Sequence, residues 1–262
     1  MDLGLEGKVA LVAAASKGLG RAAAMELARE GARLAIFARS ERTDTTAEDI
    51  RAQTGAEVLS IRADVTQADQ VQAAVEQVLA RYGQIDILIA NAGGPPPGNF
   101  LSLTDSDWQA AFQLTVMSAV RLCYAVVPQM VERGSGSIVA TQSYLIKQPM
   151  PNLILSNSLR LAVIGLMKSL ADELGPKGIR VNTINPAWTY TDRVEQLMAD
   201  RAKRAGTTPE QEAAKAAAEI PLGRMATVEE FGRAIAWLAS PAASFIHGHA
   251  LLFDGGLVHT PL

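Results

Sequence analysis

The chain has 262 residues, of which 48% are hydrophobic and 19% charged, which is enough for one large α/β domain with a substantial core. Its formal net charge of −3 lacks the basic excess that favours nucleic acid or an anionic membrane surface, so we expect neither partner. A single cysteine excludes a disulfide framework, and without a signal peptide or membrane span in the pattern we expect a cytoplasmic location.

The first predicted unit spans Lys8–Arg29. A Val-rich run, Val9–Val12, is too short for a helix and indicates a strand. Small residues with Gly18 and Gly20 follow, and Ala, Met and Leu then recur at helical spacing up to Gly31. Strand, glycine-rich turn and helix begin a dinucleotide-binding unit, because the glycines admit a pyrophosphate close to the backbone and the helix N-terminus offers free N–H groups. Alone, such a turn is a weak signal.

Strand and helix patterns alternate along the rest of the chain. Further strands are predicted at Arg33–Phe37, Val58–Arg62, Ile85–Ala90, Gly136–Thr141, Ile179–Ile184 and Ala250–Phe253. Helices are predicted at Thr43–Gln53, Gln67–Tyr82, from about Thr104 to Arg133, and at Leu153–Leu174, Asp192–Ala218 and Thr227–Ala239. Six or seven strands separated by helices predict an α/β fold with a single doubly wound parallel sheet, a Rossmann fold of about seven strands.

One domain, 1–262, is the simplest organisation, because no linker, internal repeat or low-complexity tract interrupts the pattern. The Ala-rich stretch Asp192–Ala218 breaks near Gly206–Pro209 and is expected to form a substrate lid at about 190–220.

Motifs at the predicted strand ends carry a family resemblance that covers nearly the whole chain. They are Ala13–Gly20, Asp64, Asn91-Ala92-Gly93, Ser143, Asn182, Pro186 and Asp254-Gly255-Gly256. In this order and spacing they resemble the short-chain dehydrogenase/reductase family, of the type that includes 3-oxoacyl-carrier-protein reductases.

The resemblance implies a nicotinamide dinucleotide at these strand ends. Its pyrophosphate is expected over Gly18, Leu19 and Gly20, its adenine beside Asp64 and Val65, a ribose beside Asn91 and Gly93, and its carboxamide beside Thr189 and Thr191. The full expected cofactor site is Ala14, Ser16, Lys17, Gly18, Leu19, Gly20, Arg39, Asp64, Val65, Asn91, Ala92, Gly93, Arg160, Pro186, Thr189 and Thr191.

Two cations favour NADP(H) over NAD(H). Lys17 and Arg39 occupy positions where such enzymes hold a 2′-phosphate, and no Asp or Glu ends the second strand to bind a free 2′-hydroxyl. The alternative is a pair of solvated surface charges. Ala14 stands where the family has its first glycine, which is tolerable if its φ stays negative.

The catalytic positions depart from the family. The family carries Tyr-x-x-x-Lys thirteen residues beyond its serine; counted from Ser143, these positions are Ser156 and Arg160. The family's catalytic asparagine falls at Thr115. A serine hydroxyl is a far weaker acid than tyrosine, and an arginine stays protonated and does not relay protons as lysine does. Ser156 and Arg160 still share one helix face, so both can reach the cofactor.

Replacement groups are few. Tyr144, Lys147 and Tyr190 are within reach of the expected cleft, but packing or solvated roles are favoured for all three. The two histidines of His247-Gly248-His249 lack further ligands, so no metal is expected, and Cys123 is interpreted as inert core.

Two functions remain open. The first is an NADPH-dependent oxidoreductase with an altered catalytic set, which transfers hydride to a carbonyl substrate such as a 3-oxoacyl compound or a related ketone. The second is an NADP-binding sensor or an inactive subunit of an oligomer. An enoyl reductase is set aside because no tyrosine lies between Tyr144 and Arg160. The resemblance also implies a homotetramer or homodimer formed through the two long helices and the last strand.

Overall fold

A computed structural model describes residues 2–260 and shows the expected parallel sheet. Met1, Pro261 and Leu262, which belong to the expected domain 1–262, lie outside the described residues. The strands are β1 Val9–Ala13, β2 Arg33–Ala38, β3 Val58–Arg62, β4 Ile87–Ala90, β5 Gly136–Thr141, β6 Ile179–Pro186 and β7 Ala250–Phe253.

The strand order is β3-β2-β1-β4-β5-β6-β7, and every pairing is parallel. Val12 of β1 lies opposite Ile36 of β2 and Ile89 of β4. Strands β2 and β3 therefore follow β1 on one side of the sheet, and β4 to β7 follow on the other side. Doubly wound sheets bind ligands at this change of side, between β1 and β4. The predicted Rossmann fold is confirmed.

The helices are α1 Gly18–Arg29, α2 Arg42–Thr54, α3 Ala68–Tyr82, α4 Asp105–Phe112, α5 Ser118–Arg133, α6 Ile154–Leu174, α7 Asp192–Ala205, α8 Pro209–Ala218 and α9 Val228–Ala239. A π turn, Gln113–Met117, joins α4 to α5, so the single long helix predicted here contains one local irregularity. The break predicted near Gly206 separates α7 from α8.

Alternating side chains of the strands fill two apolar layers. Val9 and Leu11 face α3, α5 and α6, whereas Ala10 and Val12 face α1, α2 and α9. A third, smaller cluster lies between α7, α8 and the loops that follow β5 and β6; it includes Tyr144. The two helices after β6 thus cover one end of the sheet, the end at which the strands terminate.

Two helical stretches, Asp105–Arg133 and Ile154–Lys177, are long and apolar enough to cross a membrane. In the most apolar 18-residue segment of each stretch, 44% is buried in the first and 28% in the second. This is weak evidence for a membrane, because helices that pack in the core of a soluble protein have the same composition. The low burial of the second stretch leaves an apolar face without a partner in the described chain.

Candidate functional site

A cleft with a cavity volume of about 510 Å³ opens where β1, β4, β5 and β6 end. It brings together most of the expected site residues, namely Ala14, Ser16, Lys17, Gly18, Leu19, Gly20, Arg39, Val65, Asn91, Ala92, Gly93, Ser143, Ser156, Arg160, Pro186, Thr189 and Thr191. Asp64 and Thr115 are the two expected residues that do not line it.

The turn between β1 and α1 forms one wall of the cleft. Gly18 adopts a φ of +55°, and a Cβ on Gly20 would overlap the Ala14 carbonyl oxygen and lie 2.9 Å from Asn91 Nδ2. Lys17 is the N-cap of α1, and no side chain caps the first-turn N–H groups. The backbone therefore leaves both room and free donors for a phosphate group.

Ala14 corrects one expectation. Its φ is +51°, in the left-handed region, rather than negative. An L-residue there costs roughly 1–2 kcal/mol relative to a right-handed conformation. The turn holds Ala14 in place because its carbonyl oxygen lies close against Gly20. The position is thus strained where the family's glycine would be relaxed.

Three cations gather near the carboxyl end of β2. Lys17 Nζ lies 3.2 Å from Asp192 Oδ2, and Arg39 Nη1 lies 3.6 Å from Asp64 Oδ2. The Lys17 ammonium holds the pKa of the Asp192 carboxyl below its usual value. Arg42 Nη1, at 3.5 Å from the same Asp192 oxygen, is a third cation that sequence reasoning missed, although it lies only three residues beyond Arg39.

Asp64 is placed differently from expectation. Its Oδ1 accepts hydrogen bonds from the backbone N–H and the hydroxyl of Thr66, at 2.8 and 2.9 Å. This local turn directs the carboxylate to its own loop and to Arg39, so the neighbouring Val65 lines the cleft instead. The contact between Asp64 and an adenine stays a prediction, and it would use the Asp64 Oδ2 atom that lies 3.6 Å from Arg39 Nη1.

Ser143, Ser156 and Arg160 meet at the other end of the cleft. The Ser143 hydroxyl oxygen accepts from the Leu145 N–H at 3.3 Å, which leaves its own proton free to donate. Ser156 is 7% exposed in the first turn of α6 and Arg160 follows one turn later, so both line the cavity. Arg160 Nη1 donates to Gln142 Oε1 at 3.4 Å.

Burial, together with the smaller effect of the nearby Arg193 guanidinium, lowers the pKa of Arg160 to about 10. Arg160 therefore remains a cation at pH 7. Arg193 also lines the cavity, where its Nη2 donates to the Pro95 carbonyl oxygen at 3.1 Å. The sequence analysis missed Arg193, although it lies two residues after Thr191.

Thr115 lies behind the cleft, in the π turn. Its hydroxyl is buried and has no hydrogen-bond partner within the described chain. It borders a small void shared with Asn91, Gln142 and Arg160, with a volume of about 10 Å³. A void of this size holds about one water molecule. Thr115 is therefore positioned to act through Arg160 or a water, and not by direct contact in the cleft.

The described residues offer no tyrosine or lysine as a proton donor beside the two serines. Tyr144 borders the cavity, but its hydroxyl lies 4.0 Å from Met150 Sδ, and burial raises its pKa to about 12. Tyr190 is 55% exposed and Lys147 is also exposed, and neither lines the cleft.

The remaining candidates have structural roles. His247 uses both ring nitrogens in the fold: Nδ1 accepts from the Val181 N–H, and Nε2 lies 2.9 Å from the Ala171 carbonyl oxygen. Within residues 2–260, no group of three His, Cys, Asp or Glu side chains could hold a metal ion. Burial raises the pKa of the Cys123 thiol to about 12, which keeps it unreactive.

Known proteins share both the sequence pattern and the fold. The family model described as enoyl-(acyl carrier protein) reductase matches residues 13–258. The 3-oxoacyl-[acyl-carrier-protein] reductase FabG of Thermotoga maritima is 32% identical over 255 residues, which cover 97% of this chain and 99% of the relative.

Two solved structures extend the comparison. L-sorbose reductase from Gluconobacter frateurii, complexed with NADPH and L-sorbose, superposes with a TM-score of 0.94 at 34% identity and covers 99% of this chain and 100% of its own. An NAD⁺-bound xylitol dehydrogenase superposes with a TM-score of 0.90 at 29% identity, covering 96% and 99%. On its motifs, its fold and these matches, the chain belongs to the short-chain dehydrogenase/reductase family.

Proposed function

We propose that this protein is an NADPH-dependent oxidoreductase that reduces a carbonyl group on a small molecule. Membership of the family makes it an oxidoreductase. One observation carries the proposal: a single cleft joins a phosphate-accepting turn, with cations beside it, to two serine hydroxyls and a half-buried guanidinium. When bound, the nicotinamide supplies a hydride to the carbonyl carbon.

The cofactor end has a group for each part of the dinucleotide. The Gly18–Gly20 backbone would hold the pyrophosphate, because α1 begins there without a side-chain cap. Lys17 and Arg39 would hold a 2′-phosphate, which supports NADP(H) over NAD(H). Thr189 and Thr191 also line the cleft and would meet the carboxamide. Gly20 has no space for a side chain, because a Cβ there would overlap the Ala14 carbonyl oxygen and crowd the Asn91 side chain.

At the reacting end, the chain's own residues would orient and polarise the carbonyl. Ser143 and Ser156 would donate hydrogen bonds to its oxygen, and the Arg160 cation would stabilise the negative charge that develops there. None of these groups is a good acid at neutral pH. The product alkoxide therefore takes its proton from water, so one carbonyl, one NADPH and one proton give one alcohol and one NADP⁺.

The surroundings of the cleft support two further parts of the proposal. The helix α7 lines the cleft, and α8 packs beside α7 in the third apolar cluster; together they would act as a substrate lid within one domain. The apolar residues exposed on the long helices, Leu161 of α6 and Tyr124 of α5, support association of copies into a homodimer or homotetramer. Light scattering of the purified protein measures that state. A cytoplasmic location and the absence of a nucleic-acid partner remain predictions from the sequence.

Stopped-flow absorbance tests the main proposal. Purified protein is loaded with NADPH and mixed with a panel of ketones and 3-oxoacyl thioesters. We expect NADPH to be consumed with at least one of them. Tight NADPH binding without consumption by any substrate would contradict the proposal.

A second function is favoured by one observation: the Tyr144 hydroxyl donates to Met150 Sδ at 4.0 Å, and burial raises its pKa to about 12, which makes it a poor acid. In that case the protein binds NADP without turnover, as a sensor or as an inactive subunit of an oligomer. Recovery of the protein with a stoichiometric catalytic partner would support this alternative, and turnover by the isolated chain would exclude it.

A further inference from the structure

Two guanidinium groups line the cleft without a counter-ion. Arg160 contacts only the neutral Gln142 side chain, and Arg193 contacts only the Pro95 carbonyl oxygen. Among the described residues that line the cavity, Asp192 is the one carboxylate, and it already pairs with Lys17 and with an arginine outside the cavity. Neither Arg160 nor Arg193 forms a salt bridge within residues 2–260.

This arrangement leaves positive charge uncompensated in a partly enclosed site. Arg160 is desolvated, and the nearby Arg193 charge disfavours its protonated form. Paired guanidinium groups in such a setting are normally balanced by an anion, because desolvated charge is costly unless it is paired. Each guanidinium has one hydrogen bond to a neutral acceptor, so most of its N–H donors remain available.

The cofactor phosphates are a poorer occupant than a substrate. They have their own donors at the Gly18–Gly20 turn and at Lys17. Arg193 instead contacts the loop that follows β4, through Pro95, and stands next to the apolar wall of the cleft. That wall consists of Met150, Leu153, Trp188, Val194 and Leu197.

We propose that the substrate is an oxo acid, whose carboxylate binds between Arg160 and Arg193 while its carbonyl lies at the two serines. This inference rests on the proposed function and names its substrate class. A guanidinium binds a carboxylate through two parallel N–H donors, which fixes the orientation as well as the affinity. The apolar wall then accommodates the carbon chain between carbonyl and solvent.

The test measures binding, so that it does not depend on turnover. The protein is saturated with NADP⁺ and titrated by calorimetry with pyruvate, acetoacetate and levulinate, which place the carboxylate at three distances from the carbonyl. The methyl ester of each acid is the uncharged control. We expect at least one acid to bind tenfold or more tightly than its ester. Its binding should also shift the emission wavelength of the buried Trp188 or quench its fluorescence.

Substitution of Arg193 tests whether the preference for the acid over its ester arises at this site. Arg193→Met is expected to weaken binding of the preferred acid by roughly 10- to 100-fold, the range for a charge-assisted hydrogen bond, and to leave its ester and NADP⁺ unchanged. Arg193→Lys is expected to recover part of the loss. Lys147→Met removes the same charge from an exposed site on a neighbouring loop and is expected to change nothing.

Three results would overturn the inference: no acid binds better than its ester, Arg193→Met leaves the preference intact, or Arg193→Met weakens NADP⁺ as much as it weakens the acid. The last result would assign Arg193 to the cofactor. Failure of the proposed function is a separate outcome. Acid binding that depends on Arg193 but gives no NADPH oxidation would refute carbonyl reduction and leave the anion site standing.

Discussion

We predict that removing the cations beside the glycine turn lowers the preference of the protein for NADPH over NADH. The substitutions are Lys17→Met and Arg39→Met, made one at a time. In the free protein, Lys17 pairs with Asp192 at 3.2 Å and Arg39 pairs with Asp64 at 3.6 Å. A bound 2′-phosphate would compete with these carboxylates for the two cations. Each cation therefore contributes to cofactor affinity only the difference between its interaction free energies with the phosphate and with the carboxylate.

The size of the effect follows from exposure. A hydrogen bond to a charged group contributes about 1.5–3 kcal/mol. The side chains of Lys17 and Arg39 are 51% and 72% exposed, so solvent and salt screen them and the lower end of this range applies. We therefore expect each substitution to raise the Kd of NADPH by about tenfold, with NADH unchanged. Higher salt should shrink the difference.

Fluorescence titration of NADPH and NADH into each variant measures both constants. Arg62→Met is the matched control, because Arg62 is an exposed arginine, 53% against 51% for Lys17, that pairs with Asp44 and Glu41 outside the cleft. Equal weakening of both cofactors would show that the substitutions damage the turn rather than remove a phosphate contact. Unchanged NADPH binding in both variants would refute the assignment of these cations.

Further predictions concern the strained turn, the catalytic pair and a surface ion pair. Ala14→Gly removes the strain of an alanine in the left-handed region. It should raise the free energy of unfolding by about 0.5–1 kcal/mol, which already allows for the larger entropy of glycine in the unfolded chain. A lower free energy of unfolding in denaturant titrations would contradict the strain. Ser156→Tyr with Arg160→Lys supplies the missing acid and should raise ketone reduction at pH 7 by about 100-fold or more, whereas Ser156→Tyr alone should give less; unchanged rates would mean that proton supply does not limit turnover. Glu230 accepts hydrogen bonds from the Arg224 guanidinium and from the backbone N–H of Thr227, the N-cap of α9, and these lower its pKa to about 2. Because this pKa lies below the usual 4.5, the stabilisation is present above pH 4.5 and lost as pH falls towards 2, so Glu230→Gln should cost about 1 kcal/mol at pH 7 and progressively less in acid.

Local pattern was sufficient for the sheet and most of the helices. The apolar run at Val9–Ala13 and the glycines that follow it are short-range signals, and the structure shows the strand and the turn there. The capping box formed by Thr227 and Glu230 is equally local, and α9 begins at Val228, one residue after the predicted start. Strand ends were less certain, because β6 continues to Pro186 through pairing with β7, a contact that no local pattern contains.

The family motifs predicted most of the residues that line the cleft, but not their local conformations or the further cations that join them. Ala14 is strained because Gly20 packs against its carbonyl oxygen, and Asp64 turns away because Thr66 offers two donors. Arg193 could not be assigned to the site from the sequence, because the packing of α7 over the cleft is what brings it close to Arg160. Such placements depend on tertiary contacts, which spacing along the chain does not reveal.

Deuterium transfer tests the central claim most directly. The purified protein is supplied with NADPH that carries deuterium at the transferable position, together with the oxo acid it binds best. Mass spectrometry then follows the label. The account predicts an alcohol with one deuterium at the former carbonyl carbon, and loss of that product in a variant whose Gly20 is replaced by alanine, because the added Cβ overlaps the turn at Ala14. Bound labelled NADPH that transfers no deuterium to any carbonyl would contradict it.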